Sequence, residues 1–129
     1  MENKTRICYS AAINRRMVMA ARRPAALRPL DAALMRLQAM AARGVQPARM
    51  GREVGIIVAE WLDAPDADPD DVRSRLDELR EQLAAGVLDA EEQVSYVDPE
   101  ETGAVKQAGT TLAALVATRD AVEQARDAL

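Results

Sequence analysis

The chain has 129 residues, a length that suits one domain with a core that needs neither disulfides nor metals. It has no histidine and a single cysteine, Cys8, which excludes an internal disulfide and the usual transition-metal sites and leaves little for acid–base catalysis. Charge is divided unevenly: the first 52 residues hold eleven basic and two acidic side chains, a formal +9, and the rest hold six basic and nineteen acidic ones, a formal −13.

The composition favours helices. Alanine, leucine, arginine, glutamate and methionine are good helix formers, whereas the β-branched and aromatic enrichment of a sheet is missing and phenylalanine is absent. We therefore predict an all-α fold, a compact bundle of five or six short helices. Its parts are a basic helical region over 1–62, an Asp/Pro-rich connector over 63–71 and an acidic helical region over 72–129, together one folded unit.

The first predicted helix covers residues 8–23, with Ile13, Met17 and Ala20 on one side. Its other side groups four arginines by their seven-residue spacing: Arg15, Arg16, Arg22 and Arg23. The apolar run over 17–21 is too short for a signal sequence or a membrane span, so we expect a cytoplasmic protein. The arginine-rich, acid-poor start also resembles a mitochondrial transit peptide, which is the alternative.

Two further helices are predicted on either side of Gly44. The first covers about 30–43 with one apolar stripe, and Gly44 stands where a left-handed C-cap belongs. Pro47 suits the first position of the next helix. That helix is expected to turn Met50, Val54, Ile57, Val58, Trp61 and Leu62 inward, and Arg49, Arg52, Glu53 and Glu60 outward.

The connector over 63–71 ends at a helix start, because Asp68 suits an N-cap and Pro69 the position after it. The following helix should end at Gly86. Its narrow apolar seam suits a contact between two helices, either within the chain or between subunits. We predict that the seam is exposed and supports a homodimer; its residues are Val72, Leu76, Leu79 and Leu83.

The last third of the chain is expected to begin with a short element over 89–97. Asp89 and Glu92 form a capping box for a helix there, although an extended segment is the alternative. A further helix start is predicted at Asp98, followed by a stretch weakened by two glycines. The final helix is expected from about Thr110, with its seam at Leu115, Val122 and Leu129.

Nine arginines of the first three helices and their connectors are the main candidates for recognition. Arginine forks bind phosphates, and a face of this kind displaces counterions from nucleic acid. The alternative is that these residues are solvated or pair with the acidic half. The nine are Arg15, Arg16, Arg22, Arg23, Arg28, Arg36, Arg43, Arg49 and Arg52.

Residues 41–50 resemble the turn and second-helix start of a helix-turn-helix. Gly44, Val45 and Met50 match that pattern, whereas Arg43 and Glu53 stand where the family has small or apolar residues. The resemblance implies that the second helix enters the major groove of DNA. It places Gln46, Ala48, Arg49 and Arg52 at the groove, with Arg15, Arg16, Arg22 and Arg23 on phosphates. An ordinary corner between two core helices is the alternative.

These patterns predict a small non-enzymatic protein, without cofactor or metal, that binds duplex DNA through its basic N-terminal helices and assembles through its acidic ones. In general layout it is similar to small phage or plasmid proteins of DNA packaging and regulation. The alternative is a protein-interaction module, such as an antitoxin-like inhibitor, a chaperone or an assembly subunit. Its basic and acidic halves would then pair across an interface with an acidic protein partner or within the chain.

Overall fold

The computed structural model describes residues 28–129. The predicted helix over 8–23 and its four arginines lie outside the described residues. The described part is all-α, as predicted, and contains four helices joined by short turns. They are α1 (Pro29–Ala42), α2 (Pro47–Leu62), α3 (Pro69–Tyr96) and α4 (Thr102–Asp127).

Proline marks the start of three of these helices, where its missing N–H costs no hydrogen bond. The predicted cap of α3 is confirmed, since Asp68 Oδ1 accepts a hydrogen bond of 3.0 Å from the backbone N–H of Asp70. Two aspartates in the first turn of α3, Asp70 and Asp71, complement the helix dipole. The boundaries predicted from proline and aspartate are therefore accurate here.

The predicted helix end at Gly86 is wrong, because α3 continues through it to Tyr96. Gly44 is the one glycine with a positive φ among the described residues, so Gly86 has ordinary helical geometry. Val87 and Ala90 are buried and extend the apolar stripe beyond the glycine. This burial outweighs the cost of about 1 kcal/mol that glycine brings to a helix interior. Asp89 and Glu92 consequently lie inside α3 and cap no helix.

The start predicted for the last helix is also displaced. Asp98 Oδ1 accepts a hydrogen bond of 2.9 Å from the N–H of Glu100, which closes a turn, and α4 begins after it at Thr102. The two glycines at 103 and 109 lie within α4, so no second helix start occurs near Thr110. With these two mergers residues 28–129 contain four helices; the five or six of the prediction include the helix over 8–23, which lies outside the described residues.

Buried side chains from all four helices form one core. The seam predicted for assembly lies inside it, since its four side chains are at most 1% exposed: Val72, Leu76, Leu79 and Leu83. The contact they make is therefore the intramolecular one, and the prediction that the seam is exposed is corrected. Predicted residues of α4 join the same core, with Val122 fully buried and Leu115 nearly so.

The two long helices α3 and α4 run antiparallel and form the scaffold. Arg126 Nε lies 2.8 Å from Asp77 Oδ1, and Arg73 donates a 2.7 Å hydrogen bond to the carbonyl of Leu129. Helices α1 and α2 are only 14 and 16 residues long and leave the far end of the α3–α4 pair uncovered. From 91 to 107 every residue except Val97 is exposed.

Candidate nucleic-acid interface

The turn between α1 and α2 is fixed by backbone hydrogen bonds. The N–H of Val45 donates to the carbonyl of Met40 at 3.2 Å. The N–H of Gly44 donates to the carbonyl of Ala41 at 3.0 Å, which completes a Schellman motif. Gly44 has φ +80°, where a side chain is strained, so the predicted C-cap is confirmed.

This turn lies on α4. A Cβ added to Gly44 would be 3.5 Å from Thr110 Cγ2, in ordinary contact. Val45 packs partly against the core, and Met50 is fully buried beneath the turn. The corner is therefore anchored on both sides, and the side chains that leave it are held on a rigid base.

The four residues that the helix-turn-helix resemblance places at the DNA groove come together at this corner. Gln46, Ala48, Arg49 and Arg52 are exposed and line one surface depression of about 620 Å³, together with Arg43. Arg15, Arg16, Arg22 and Arg23 lie outside the described residues.

The structure adds Lys106, which the sequence did not indicate. A second depression adjoins the first, shares Arg43 and Gly44 with it, and has Lys106 of α4 on its far side. Lys106 belongs to the acidic half of the chain and is 57 positions beyond Arg49, so no local spacing connects them. We call the four cations Arg43, Arg49, Arg52 and Lys106 the basic corner.

Ion pairing separates the basic corner from most other cations of the fold. Among residues 28–129, no acidic side chain lies within 4 Å of any of its four members. Arg28, by contrast, donates to Asp31 at 2.9 Å and so lowers the pKa of that carboxyl below its ordinary value. Other arginines with acidic partners are Arg36, Arg73, Arg119 and Arg126.

Glu53, the acid next to Arg52 in sequence, does not neutralise the corner. It was expected to point outward, but it is 8% exposed and its Oε2 lies 2.6 Å from Arg36 Nη2 on α1. Within residues 28–129 Oε2 accepts no hydrogen bond, so the contact with Arg36 is an ion pair. Inward burial of Glu53 thus leaves the outer face of this turn of α2 positive.

Elsewhere on α2 the predicted inward set is confirmed in part. Val54 and Ile57 are buried, whereas Leu62 is 38% exposed at the end of the helix. Trp61 is half-buried, and the Arg75 guanidinium lies 4.8 Å from its ring centroid. This cation–π contact engages Arg75 near the C-terminal end of α2, away from the corner.

The start of α2 adds to the positive potential of the corner. The helix has no acidic residue in its first turn and no side-chain cap, and Arg49 stands in that turn. The N-terminal end of a helix dipole is itself positive, so a cation there is unfavourable unless an anion binds. This arrangement is the reverse of the aspartate-rich start of α3.

Within residues 28–129, no three potential metal ligands converge, and no helix is long and apolar enough to cross a membrane. The site therefore offers cationic and amide groups on an exposed surface. Comparison with family models, with curated proteins and with solved structures found no match for this chain.

Proposed function

We propose that this protein binds the phosphate backbone of duplex DNA through the basic corner and acts as a small non-enzymatic accessory or regulatory protein. The observation that carries the proposal is the meeting of four cations, from the C-cap of α1, from α2 and from α4, without acidic partners among the described residues. A fold that pairs five other arginines with acids has left these side chains available for an external polyanion.

The arrangement on α2 suits contact with a duplex. Arg49 and Arg52 are three residues apart and project from the same exposed face, with Gln46 at the preceding N-cap. Arginine and glutamine are the side chains that bind guanine and adenine edges in the major groove, and arginine also binds phosphates bidentately. The glycine turn and the buried Met50 support docking of α2 in the manner of a helix-turn-helix.

The four arginines of residues 8–23 are proposed to add phosphate contacts beside those of the corner. Their sequence spacing places Arg15, Arg16, Arg22 and Arg23 on one side of a helix. With the corner they raise the number of available cations to eight, which is within the range of phosphate contacts made by tight duplex binders.

Single substitutions test the role of the corner. We expect Arg49→Ala and Arg52→Ala to weaken binding of a fluorescently labelled duplex by about 1–3 kcal/mol if the arginine contacts a base, or to reduce the salt slope by about 1 if it contacts a phosphate. Fluorescence anisotropy at several salt concentrations measures both quantities.

Arg80→Ala is the matched control, because Arg80 lies on α3, lines neither depression and carries the same charge. It should leave affinity and slope nearly unchanged. Equal losses from Arg49→Ala and Arg80→Ala would show that net charge alone governs binding and would contradict a defined site at the corner.

A further inference from the structure

The uncovered end of the α3–α4 pair carries an unusual number of exposed apolar side chains. Four large ones are between 37% and 78% exposed there: Leu88, Val94, Tyr96 and Val105. Exposed apolar side chains at one end of a molecule are typical of a contact surface. They lie at the end of the molecule where α1 and α2 no longer cover the long helices.

A groove runs between the two helices at this end. Ala90, Gln93 and Val97 line it from α3, and Ala104, Gln107, Ala108 and Thr111 from α4. Its volume is about 280 Å³. Small side chains on both walls let a third helix approach closely and bury aliphatic side chains between them.

Acidic residues lie next in sequence to the groove-lining residues of α3 and in the turn that joins α3 to α4. Within residues 28–129, none of them has a basic side chain within 4 Å. All six are exposed, and we call them the acidic collar: Asp89, Glu91, Glu92, Asp98, Glu100 and Glu101. An apolar groove with such a collar fits an amphipathic helix whose other side is basic.

We propose that residues 8–23 of the same chain dock in this groove. The stripe of Ile13, Met17 and Ala20 would fill the space between α3 and α4. The arginines on the other side of the segment would then lie near the acidic collar, where opposite charge attracts them. This contact belongs to the chain without DNA, where it pairs the basic segment with acidic side chains that have no basic partner among the described residues; it opens when the same arginines contact phosphates.

The segment is long enough to reach the groove. Arg28, where the described chain starts, lies 3.4 Å from Glu78, and from Glu78 to Gln93 α3 rises about 22 Å. The four residues 24–27 span up to roughly 13 Å, and sixteen helical residues span about 24 Å. Because the segment is tethered, its effective concentration at the groove is on the order of millimolar, which favours it over a second copy.

Cys8 makes the proposal directly testable, because it is the only cysteine and lies in the segment. A nitroxide attached to Cys8 of the ¹⁵N-labelled full chain should broaden the amide signals of Gln93, Val97, Ala104 and Ala108 at low salt. Signals unaffected by the label, or broadening confined to α1 and α2, would overturn the proposal.

Two further measurements identify the occupant. Spin-labelled chain without ¹⁵N is mixed with ¹⁵N-labelled Cys8→Ser chain, and we expect no broadening; broadening at the groove would show that a second copy occupies it and would overturn the proposal.

Ala104→Arg places a cation in the groove and should abolish the broadening within the chain. Ala113→Arg, at an exposed position of α4 outside the groove, should retain it. Persistence in Ala104→Arg would also overturn the proposal, and the amide spectrum of each variant reports its folding.

Discussion

Glu53 illustrates how a single residue departs from its sequence pattern. On a helical wheel it belongs to the polar side of α2, yet its carboxylate is buried and lies against Arg36 of α1. A buried charge is tolerated when a partner of opposite charge is close, and here the partner itself stays half in solvent. Hydrophobic periodicity does not anticipate this, because the compensating charge comes from another helix.

Removal of the partner should expose the cost of that burial. We expect Arg36→Ala to lower the free energy of unfolding by about 1–3 kcal/mol, since it leaves a buried carboxylate without compensation. The double variant Arg36→Ala/Glu53→Leu should return to within about 1 kcal/mol of the original stability. Urea denaturation measures the stability of the Arg36→Ala, Glu53→Leu and double variants. If Arg36→Ala lowers stability by the same amount in the Glu53→Leu protein as in the original protein, the two residues are not energetically coupled.

Gly44 is required for its backbone conformation rather than for space. Its φ of +80° costs other residues about 1–2 kcal/mol, so Gly44→Ala should destabilise the protein by that amount. Gly51→Ala is the matched control: a Cβ there has no atom within 4 Å and the residue is helical. It should stabilise the protein by about 0.5–1 kcal/mol. Thermal unfolding of the two variants should therefore show shifts of opposite sign, and shifts of the same sign would be evidence against the left-handed C-cap.

At the level of elements, the sequence predicts the first two described helices and the start of α3 correctly, but not the boundaries in the last third of the chain. Pro47 and the Asp68–Pro69 pair mark true starts because each satisfies or removes an unpaired backbone N–H. Gly86 marks no end, because a glycine weakens a helix without stopping it when buried residues follow at the same spacing. The capping box at Asp89 is misleading because N-capping residues act only where the chain enters a helix, and Asp89 lies inside α3.

Substitution of Gly86 distinguishes a continuous α3 from two shorter helices. In a continuous helix, Gly86→Ala should raise the free energy of unfolding by about 0.5–1 kcal/mol, because its Cβ meets no atom within 4 Å. At a left-handed helix end the same change would lower stability by about 1–2 kcal/mol. Chemical denaturation gives the sign, and a loss of stability would favour two helices.

For the whole molecule, the all-α class follows from composition, but the interface depends on tertiary packing. Lys106 joins the basic corner because the turn at Gly44 lies against Thr110 of α4, a contact that no spacing within one helix encodes. The seam of α3 was predicted as an assembly surface because its stripe is narrow. It is buried instead, since three other helices of the chain surround it.

In the described part of the chain, the fold pairs some basic residues of the first half with acids of the second half and leaves others unpaired. Among residues 28–129, two ion pairs, Arg28–Glu78 and Arg36–Glu53, join the basic part before Glu53 to the acidic remainder. They account for the paired arginines of residues 28–52 and leave Arg43, Arg49 and Arg52 beside Lys106. Internal neutralisation and binding of an external polyanion therefore involve different residues of the same half.

The salt dependence of duplex binding tests the central proposal most directly. Anisotropy of a fluorescently labelled duplex is measured with the full chain at 50 and 200 mM salt. Contacts to about six phosphates, from the basic corner and the N-terminal arginines together, should weaken binding on the order of 10³-fold over this range, whereas the corner alone would give roughly 10²-fold. Absence of binding at 50 mM salt would contradict the account.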